Sequence, residues 1–126
     1  MAVIALGMDI AQIARFEAAY GRHGERLLAR VFTDGERAYC DRRKTRMTNY
    51  TGRFAVKEAV MKVLGTGWAR GVAWRDIEVV RASGEAPQCV LHGVAARIAQ
   101  EKGIARIHIT ITHDAGIAAA VAVAES

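Results

Sequence analysis

The order of apolar and polar residues along the first third of the chain predicts one strand followed by three helices. Residues 2–9 form an almost unbroken apolar run, and helical spacing of the apolar positions follows directly. Thr33 with Glu36 three positions later has the form of a capping box, which marks the start of the third helix. The predicted elements are a strand at 2–9 and helices at 10–20, 24–31 and 34–42.

The remainder of the chain predicts a long helix, a shorter helix and four strands. The long helix should end at Gly65, because glycine favours a C-terminal cap, and Gly84 predicts the turn of a hairpin. The predicted elements are helices at 48–64 and 93–102, and strands at 77–81, 88–91, 106–113 and 117–124. These elements predict a single α+β domain over residues 1–126, with a mainly antiparallel sheet and a long central helix.

A carboxylate interrupts the apolar stripe of the long helix. At about 100° per residue, the following side chains share one helix face: Met47, Tyr50, Phe54, Glu58 and Met61. A buried carboxylate without a partner is costly, so Glu58 needs a cation. That cation could be a bound metal ion, or Lys62 one turn later in an ordinary surface ion pair.

A second carboxylate, Asp9, comes at the end of the first apolar run. A strand that ends in an aspartate just before a helix is a common way to present a metal or phosphate ligand. The alternative is that Asp9 only caps the helix that follows.

Composition places the chain among folded proteins of a reducing compartment. It is 52% hydrophobic with a single proline, and no apolar run approaches the about 18 residues of a membrane span. The N-terminal segment lacks the basic start of a signal peptide. Cys40 and Cys89 have no metal-binding spacing and are expected to be reduced thiols, so we expect a cytoplasmic protein without zinc.

The net charge of +5 favours an acidic partner. Basic residues concentrate before the long helix and around the first helix, the latter group being Arg15, Arg22, Arg26 and Arg30. Aromatic residues make up only 6% of the chain and do not alternate with basic ones, which disfavours a nucleic-acid partner. Phosphates on a small molecule or an acidic protein fit better, although a solvated basic surface would look the same.

The last predicted hairpin adds a histidine. His108, Thr110 and Thr112 share the polar face of their strand, and His113 lies by the turn beside Asp114. Such a histidine is either a site residue or a hydrogen-bonding partner of the turn.

Together these segments match the motifs of one family, in the right order. They are Gly7-Met8-Asp9-Ile10, then Arg53-Phe54-Ala55-Val56-Lys57-Glu58-Ala59 with Lys62 and Gly65-Thr66-Gly67, then Trp74-Arg75-Asp76, Gly84 with Pro87, and Ile111-Thr112-His113-Asp114. In these motifs the chain resembles the holo-acyl-carrier-protein synthases, the short bacterial class of phosphopantetheinyl transferases. Thr112 stands where a serine is common in that family, and it keeps the hydroxyl group.

The resemblance implies a 4′-phosphopantetheinyl transferase fold and a Mg²⁺-dependent reaction. The enzyme would move phosphopantetheine from coenzyme A to a serine of apo-acyl carrier protein in fatty acid biosynthesis, releasing adenosine 3′,5′-bisphosphate. Asp9 and Glu58 would hold the metal, Lys62 would contact the pyrophosphate and His113 would lie beside the coenzyme. The proton acceptor for the serine stays open between Glu58 and a metal-ordered water.

The resemblance also implies a homotrimer with active sites at subunit interfaces. Lys44, Arg46 and Arg53 would hold the 3′-phosphate of the coenzyme. The other implied coenzyme contacts are Phe54, Glu58, Lys62, Gly65, Thr66, Gly84, Pro87 and His113. Arg15, together with Arg22 and Arg26 just past the first helix, would meet the acidic carrier protein.

Two other classes remain open on the residues alone. One is a different Mg²⁺-dependent phosphate-transfer or nucleotide-hydrolysing enzyme, which would keep Asp9 and Glu58. The other is a non-catalytic basic module that binds an acidic protein or nucleic acid.

Overall fold

The computed structural model describes residues 1–67 and 70–126, which form one α+β unit. A three-stranded antiparallel sheet has the order β1-β5-β4, and β2 and β3 form a separate antiparallel hairpin. The elements are β1 (Val3–Gln12), α1 (Ile13–His23), α2 (Glu25–Val31), α3 (Asp34–Asp41), α4 (Arg46–Leu64), a 3-10 turn (Trp74–Asp76), β2 (Ile77–Val80), β3 (Gln88–Leu91), α5 (Gly93–Glu101), β4 (Arg106–Asp114) and β5 (Ile117–Glu125).

The first strand is longer than the sequence predicts. The expected change to helix after Asp9 is wrong, because β5 pairs with β1 as far as Gln12, opposite Ile117. The backbone N–H of Ile13 then donates to Gly116 at 2.9 Å, where α1 begins. Asp9 therefore lies inside a strand and caps no helix.

Most other predicted elements are confirmed to within two residues. In the capping box, the Glu36 N–H donates to the Thr33 hydroxyl at 3.2 Å and the Thr33 N–H donates to the Glu36 carboxylate at 2.9 Å. Gly65 caps α4 in the left-handed region with φ 73°. Arg22 lies in the last turn of α1, so its predicted place beyond that helix is wrong.

Small residues bring α4 close to the sheet. The face of β5 that packs on the helix carries only alanine: Ala118, Ala120, Ala122 and Ala124. On β1, a Cβ added to Gly7 would lie 2.0 Å from the backbone oxygen of Ala59, so only glycine fits there. This contact sets the distance between the strand that carries Asp9 and the helix that carries Glu58.

The long helix is buried on nearly all sides. Its other face contributes Tyr50 to a second core, in which Phe16, Leu28 and Phe32 come from α1, α2 and the residue after α2. The sequence pattern showed only one apolar stripe on this helix. It therefore did not reveal that α4 lies between the sheet and the remaining elements. No helix in the described part of the chain is long and apolar enough to span a membrane.

Candidate active site

Asp9 and Glu58 line the same cavity, as the sequence predicts. The cavity has a volume of about 700 Å³, and Arg15 also lines it. The apolar part of the cavity wall includes Phe16, Leu27 and Phe54. Strand β1 presents Asp9 on the face that packs against α4, and the tight contact at Gly7 brings Glu58 beside it.

The negative charge of Asp9 makes ionisation of Glu58 less favourable. The pKa of Glu58 is raised above its ordinary value by partial burial and, next, by the negative charge of Asp9, while the positive charge of Lys62 opposes both effects. A cation placed between the carboxylates would relieve this repulsion.

Lys62 contacts β1. Its ammonium donates to the Met8 carbonyl at 2.7 Å and lies 3.4 Å from a carboxylate oxygen of Asp9. The sequence left open whether Lys62 forms only a surface ion pair with Glu58. Its contacts with Met8 and Asp9 favour a position beside both carboxylates. The amine remains half-exposed, with 56% of the side chain accessible to a ligand.

The donor set suits a hard divalent cation. Mg²⁺ prefers oxygen ligands and usually takes one or two protein carboxylates, leaving its other positions to water and phosphate. The described residues contain no cluster of three or more His, Cys, Asp or Glu side chains that could enclose a metal. Asp9 and Glu58 thus fit a Mg²⁺ site that substrate phosphate completes.

The basic residues expected to bind the 3′-phosphate gather near the start of α4. Arg46 is held by Asp41 at 3.1 Å, and its guanidinium lies 5.3 Å from the ring centre of Tyr20. Arg53 is buried with its guanidinium 4.2 Å from the ring centre of Tyr39. Its Nε finds no hydrogen-bond partner within the described ranges, which is costly unless a ligand supplies an acceptor.

Tyr39 is a residue that the sequence analysis missed. Its ring packs against two guanidinium groups, with Arg43 and Arg53 each 4.2 Å from the ring centre. Lys44 is exposed beside them. Arg46 lies twelve positions before Glu58, which is roughly 18 Å along a helix, whereas Arg53 lies only five positions before it. Neither arginine lines the acidic cavity, and nor does Lys44.

Other predicted coenzyme residues do not line the cavity in the single chain. His113 pairs with Ala118 near the end of β4, beside Asp114 and one residue pair before the turn at 115–116, close to its predicted place. Gly84 and Pro87 lie in the β2–β3 connection, and Gly65 and Thr66 follow α4. Arg22 and Arg26 are exposed on α1 and α2.

Sequence reasoning also missed the role of two charged residues next to the site. Glu36 was predicted only as a member of a capping box, and Lys57 was noted only within a motif. Both side chains are completely buried, and they form an ion pair at 2.9 Å. No local pattern marked this pair, because Glu36 stands between Gly35 and Arg37 and already had a role as a helix cap.

Both cysteines are free thiols, as expected. Burial raises the pKa of Cys40 and of Cys89 to about 12, so both are protonated and unreactive at neutral pH.

Comparison with known proteins decides the family. The family model described as the 4′-phosphopantetheinyl transferase superfamily matches residues 5–122. The chain belongs to this superfamily. It is 48% identical over 126 residues to a holo-[acyl-carrier-protein] synthase of Anaeromyxobacter sp. (strain K), covering 98% of this chain and 96% of that protein. The range matched by the family model spans both cavity carboxylates, Asp9 and Glu58.

Solved structures show the transferase fold. The holo-[acyl-carrier-protein] synthase of Neisseria meningitidis superposes with a TM-score of 0.90 at 24% identity, over 99% of this chain and 100% of that one. The Helicobacter pylori enzyme, solved in complex with coenzyme A, superposes with a TM-score of 0.83 at 31% identity, over 95% of this chain and 99% of that one. The α+β architecture predicted from the sequence is confirmed.

Proposed function

We propose that this transferase moves 4′-phosphopantetheine from coenzyme A to a serine of apo-acyl carrier protein, for fatty acid biosynthesis, releasing adenosine 3′,5′-bisphosphate. The carrying observation is that Asp9 and Glu58 share one cavity in a chain that is 48% identical to a holo-[acyl-carrier-protein] synthase. Two carboxylates suit a Mg²⁺ ion whose remaining ligand positions are filled by substrate phosphate. This donor set supports a phosphate-transfer reaction more than a protein that only binds its partner.

The residues of the cavity have distinct roles in the proposal. Asp9 and Glu58 hold Mg²⁺, which when bound neutralises charge on the pyrophosphate and orients it. Lys62, half-exposed and already at the carboxylates, turns its ammonium to the same pyrophosphate. Arg15 at the cavity lies where an acidic carrier protein would arrive, with Arg22 and Arg26 extending the basic surface.

The basic group at the start of α4 is the proposed 3′-phosphate site. Lys44 and Arg53 supply charge to the phosphate, and the unpartnered Nε of Arg53 supports this role. Arg46 contributes charge from its ion pair with Asp41. Phe54 lies between this group and the acidic cavity, which it lines.

We also propose a homotrimer, in which the remaining coenzyme residues reach the cavity from a neighbouring subunit. These are Gly65, Thr66, Gly84, Pro87 and His113. The outward face of β1 supports association, because it exposes large apolar side chains in a row: Ile4, Leu6, Met8 and Ile10. Leu6→Lys, at a residue with 67% exposure, should yield monomers in sedimentation analysis and reduce transfer. A trimeric and fully active variant would contradict this assembly.

The deciding experiment is incubation of the protein with coenzyme A, Mg²⁺ and apo-acyl carrier protein, followed by mass spectrometry of the carrier. A mass increase of one phosphopantetheine is expected. An unmodified carrier with coenzyme or nucleotide hydrolysis would indicate another phosphate-transfer enzyme. An unmodified carrier that nevertheless binds would indicate a docking module. We place the reaction in the cytoplasm, consistent with free Cys40 and Cys89.

A further inference from the structure

A buried lysine lies directly beside the proposed metal ligand on α4. Lys57 donates to the carboxylate of Glu36 at 2.9 Å, to the carbonyl of Trp74 at 3.2 Å and to the carbonyl of Ile77. An ammonium group has three N–H donors, so every donor of Lys57 is used. The lysine thereby connects α4 to α3, the 3-10 turn and β2.

Glu36 is equally saturated. One of its oxygens accepts from the Thr33 N–H at 2.9 Å and from Lys57, and the other accepts from the Val79 N–H at 2.8 Å. Neither side chain of the ion pair is exposed to solvent. These hydrogen bonds hold the side chains of Lys57 and Glu36 in one position relative to the surrounding elements.

The network costs free energy, because burial disfavours a charged amine. Burial lowers the pKa of Lys57, and the negative charge of Glu36 opposes that shift. A buried ion pair is weak evidence for stability, since apolar residues of equal volume often stabilise a fold as well or better. The alternative reason for a buried ion pair at this place is that it fixes the position of the elements it joins.

Two short routes lead from Lys57 to the acidic cavity. Glu58 is the next residue, and consecutive side chains of a helix point about 100° apart. Holding Lys57 toward α3 therefore holds Glu58 toward β1. The second route passes through Trp74, whose carbonyl accepts from Lys57 and whose ring stacks on Phe54 with centres 5.1 Å apart. Phe54 forms a wall of the cavity.

We propose that the buried Lys57–Glu36 pair is a positioning device that fixes the rotation of α4 and so aims Glu58 at the metal shared with Asp9. The inference rests on the proposed Mg²⁺ site. Lys57 and Glu36 touch neither substrate nor metal, and they act through the orientation of Glu58 and of the Phe54 wall.

The test compares Glu36→Gln and Lys57→Met with Val60→Ala as a matched control. Glu36→Gln keeps the side-chain volume and removes the charge opposite Lys57. Val60 is a fully buried residue of the same helix and takes part in none of the hydrogen bonds of the pair, so its truncation lowers stability and leaves those bonds in place. Mg²⁺ affinity is measured by titration calorimetry with coenzyme A present, alongside thermal unfolding and steady-state kinetics.

Both pair variants should require about 10-fold more Mg²⁺ for half-saturation, the typical effect of losing a residue that orients a metal ligand. The KM for carrier protein should stay unchanged, and Val60→Ala should keep the wild-type Mg²⁺ affinity. Reduced stability with wild-type Mg²⁺ affinity in the pair variants would overturn the inference. If Lys57→Met does not fold, Glu36→Gln decides alone.

A further variant separates failure of this inference from failure of the metal assignment. Glu58→Ala should lose Mg²⁺ binding altogether. If Glu58→Ala binds Mg²⁺ like the wild type, the metal site itself is misassigned and the positioning role falls with it. If only the pair variants behave like the wild type, the metal site stands and the positioning role is refuted.

Discussion

The Lys62 ammonium lies 3.4 Å from the Asp9 carboxylate, although 53 positions separate the two residues in the chain. The same ammonium donates to the Met8 carbonyl at 2.7 Å, so α4 is joined to β1 at the edge of the cavity. A half-exposed cation in this place can exchange its protein partners for a phosphate oxygen at little cost.

Lys62→Ala should weaken coenzyme A binding and slow transfer, because the pyrophosphate loses a charge-assisted contact. We expect about a 10-fold or greater loss in kcat/KM for coenzyme A, equivalent to about 1.4 kcal/mol. Stability should change little, because the Lys62 side chain is 56% exposed and its ion pair with Asp9, at 3.4 Å, is long. Unchanged kinetics for coenzyme A would remove Lys62 from the site.

Asp9→Ala and Glu58→Ala should each abolish transfer while leaving the fold intact. We expect neither carboxylate to be needed for folding, since the charge of Asp9 and partial burial both disfavour ionised Glu58 in the metal-free protein. Carrier modification measured by mass spectrometry, with circular dichroism as the control for folding, checks this. Near-wild-type turnover of either variant at ordinary Mg²⁺ concentration would show that the metal pair is misassigned.

The stability gained by Glu58→Gln in the metal-free protein should depend on pH. The folded-state pKa of Glu58 lies above its ordinary value of 4.5, so the folded state disfavours the ionised form. Below pH 4.5 Glu58 costs the wild type no stability, and this cost develops as pH rises through the raised pKa. The variant should therefore unfold about 1–3 °C higher at neutral pH and show no advantage in acid.

The opposite dependence on pH would contradict the raised pKa of Glu58. Saturating Mg²⁺ and coenzyme A provide the control, because bound metal favours the ionised carboxylate. Under those conditions the wild type should unfold at the higher temperature, since only it gains stability from the ligand.

Gly7→Ala should destabilise the protein by about 1–3 kcal/mol, because the added Cβ overpacks the contact between β1 and α4. That atom would lie 2.0 Å from the Ala59 oxygen. Gly21→Ala is the matched control, since an added Cβ at Gly21 meets no atom within 4 Å. Chemical denaturation of both variants and their Mg²⁺ affinities check the prediction. If the two variants were equally stable, the contact between Gly7 and Ala59 would have room for a side chain.

Arg15→Glu should raise the KM for acyl carrier protein by about 10-fold and reduce its dependence on salt. Arg15 lines the acidic cavity while remaining exposed, so it can guide an acidic partner to the cavity. Charge reversal at Arg97, exposed on α5, is the control for net charge. If the KM for coenzyme A shifts and that for the carrier does not, Arg15 belongs to the coenzyme site.

Local sequence patterns by themselves predicted most of the elements and singled out Asp9 and Glu58, which line one cavity. The capping box at Thr33, the glycine cap at Gly65 and the hairpin at Gly84 depend on neighbouring residues only, so they can be predicted without the rest of the fold. Glu58 stood out because it interrupts a helical apolar stripe.

Only the tertiary structure decided where β1 ends and which charged groups meet. Pairing with β5 extends β1 to Gln12, and that partner lies more than a hundred positions away in the chain. The burial of Lys57 likewise depends on Glu36 and on carbonyls from two other elements. Local periodicity reports which side of an element is apolar, but long-range packing determines whether the other side is also covered. Lys57 lies on the side of α4 that the other elements cover, and it is therefore buried and hydrogen-bonded to them.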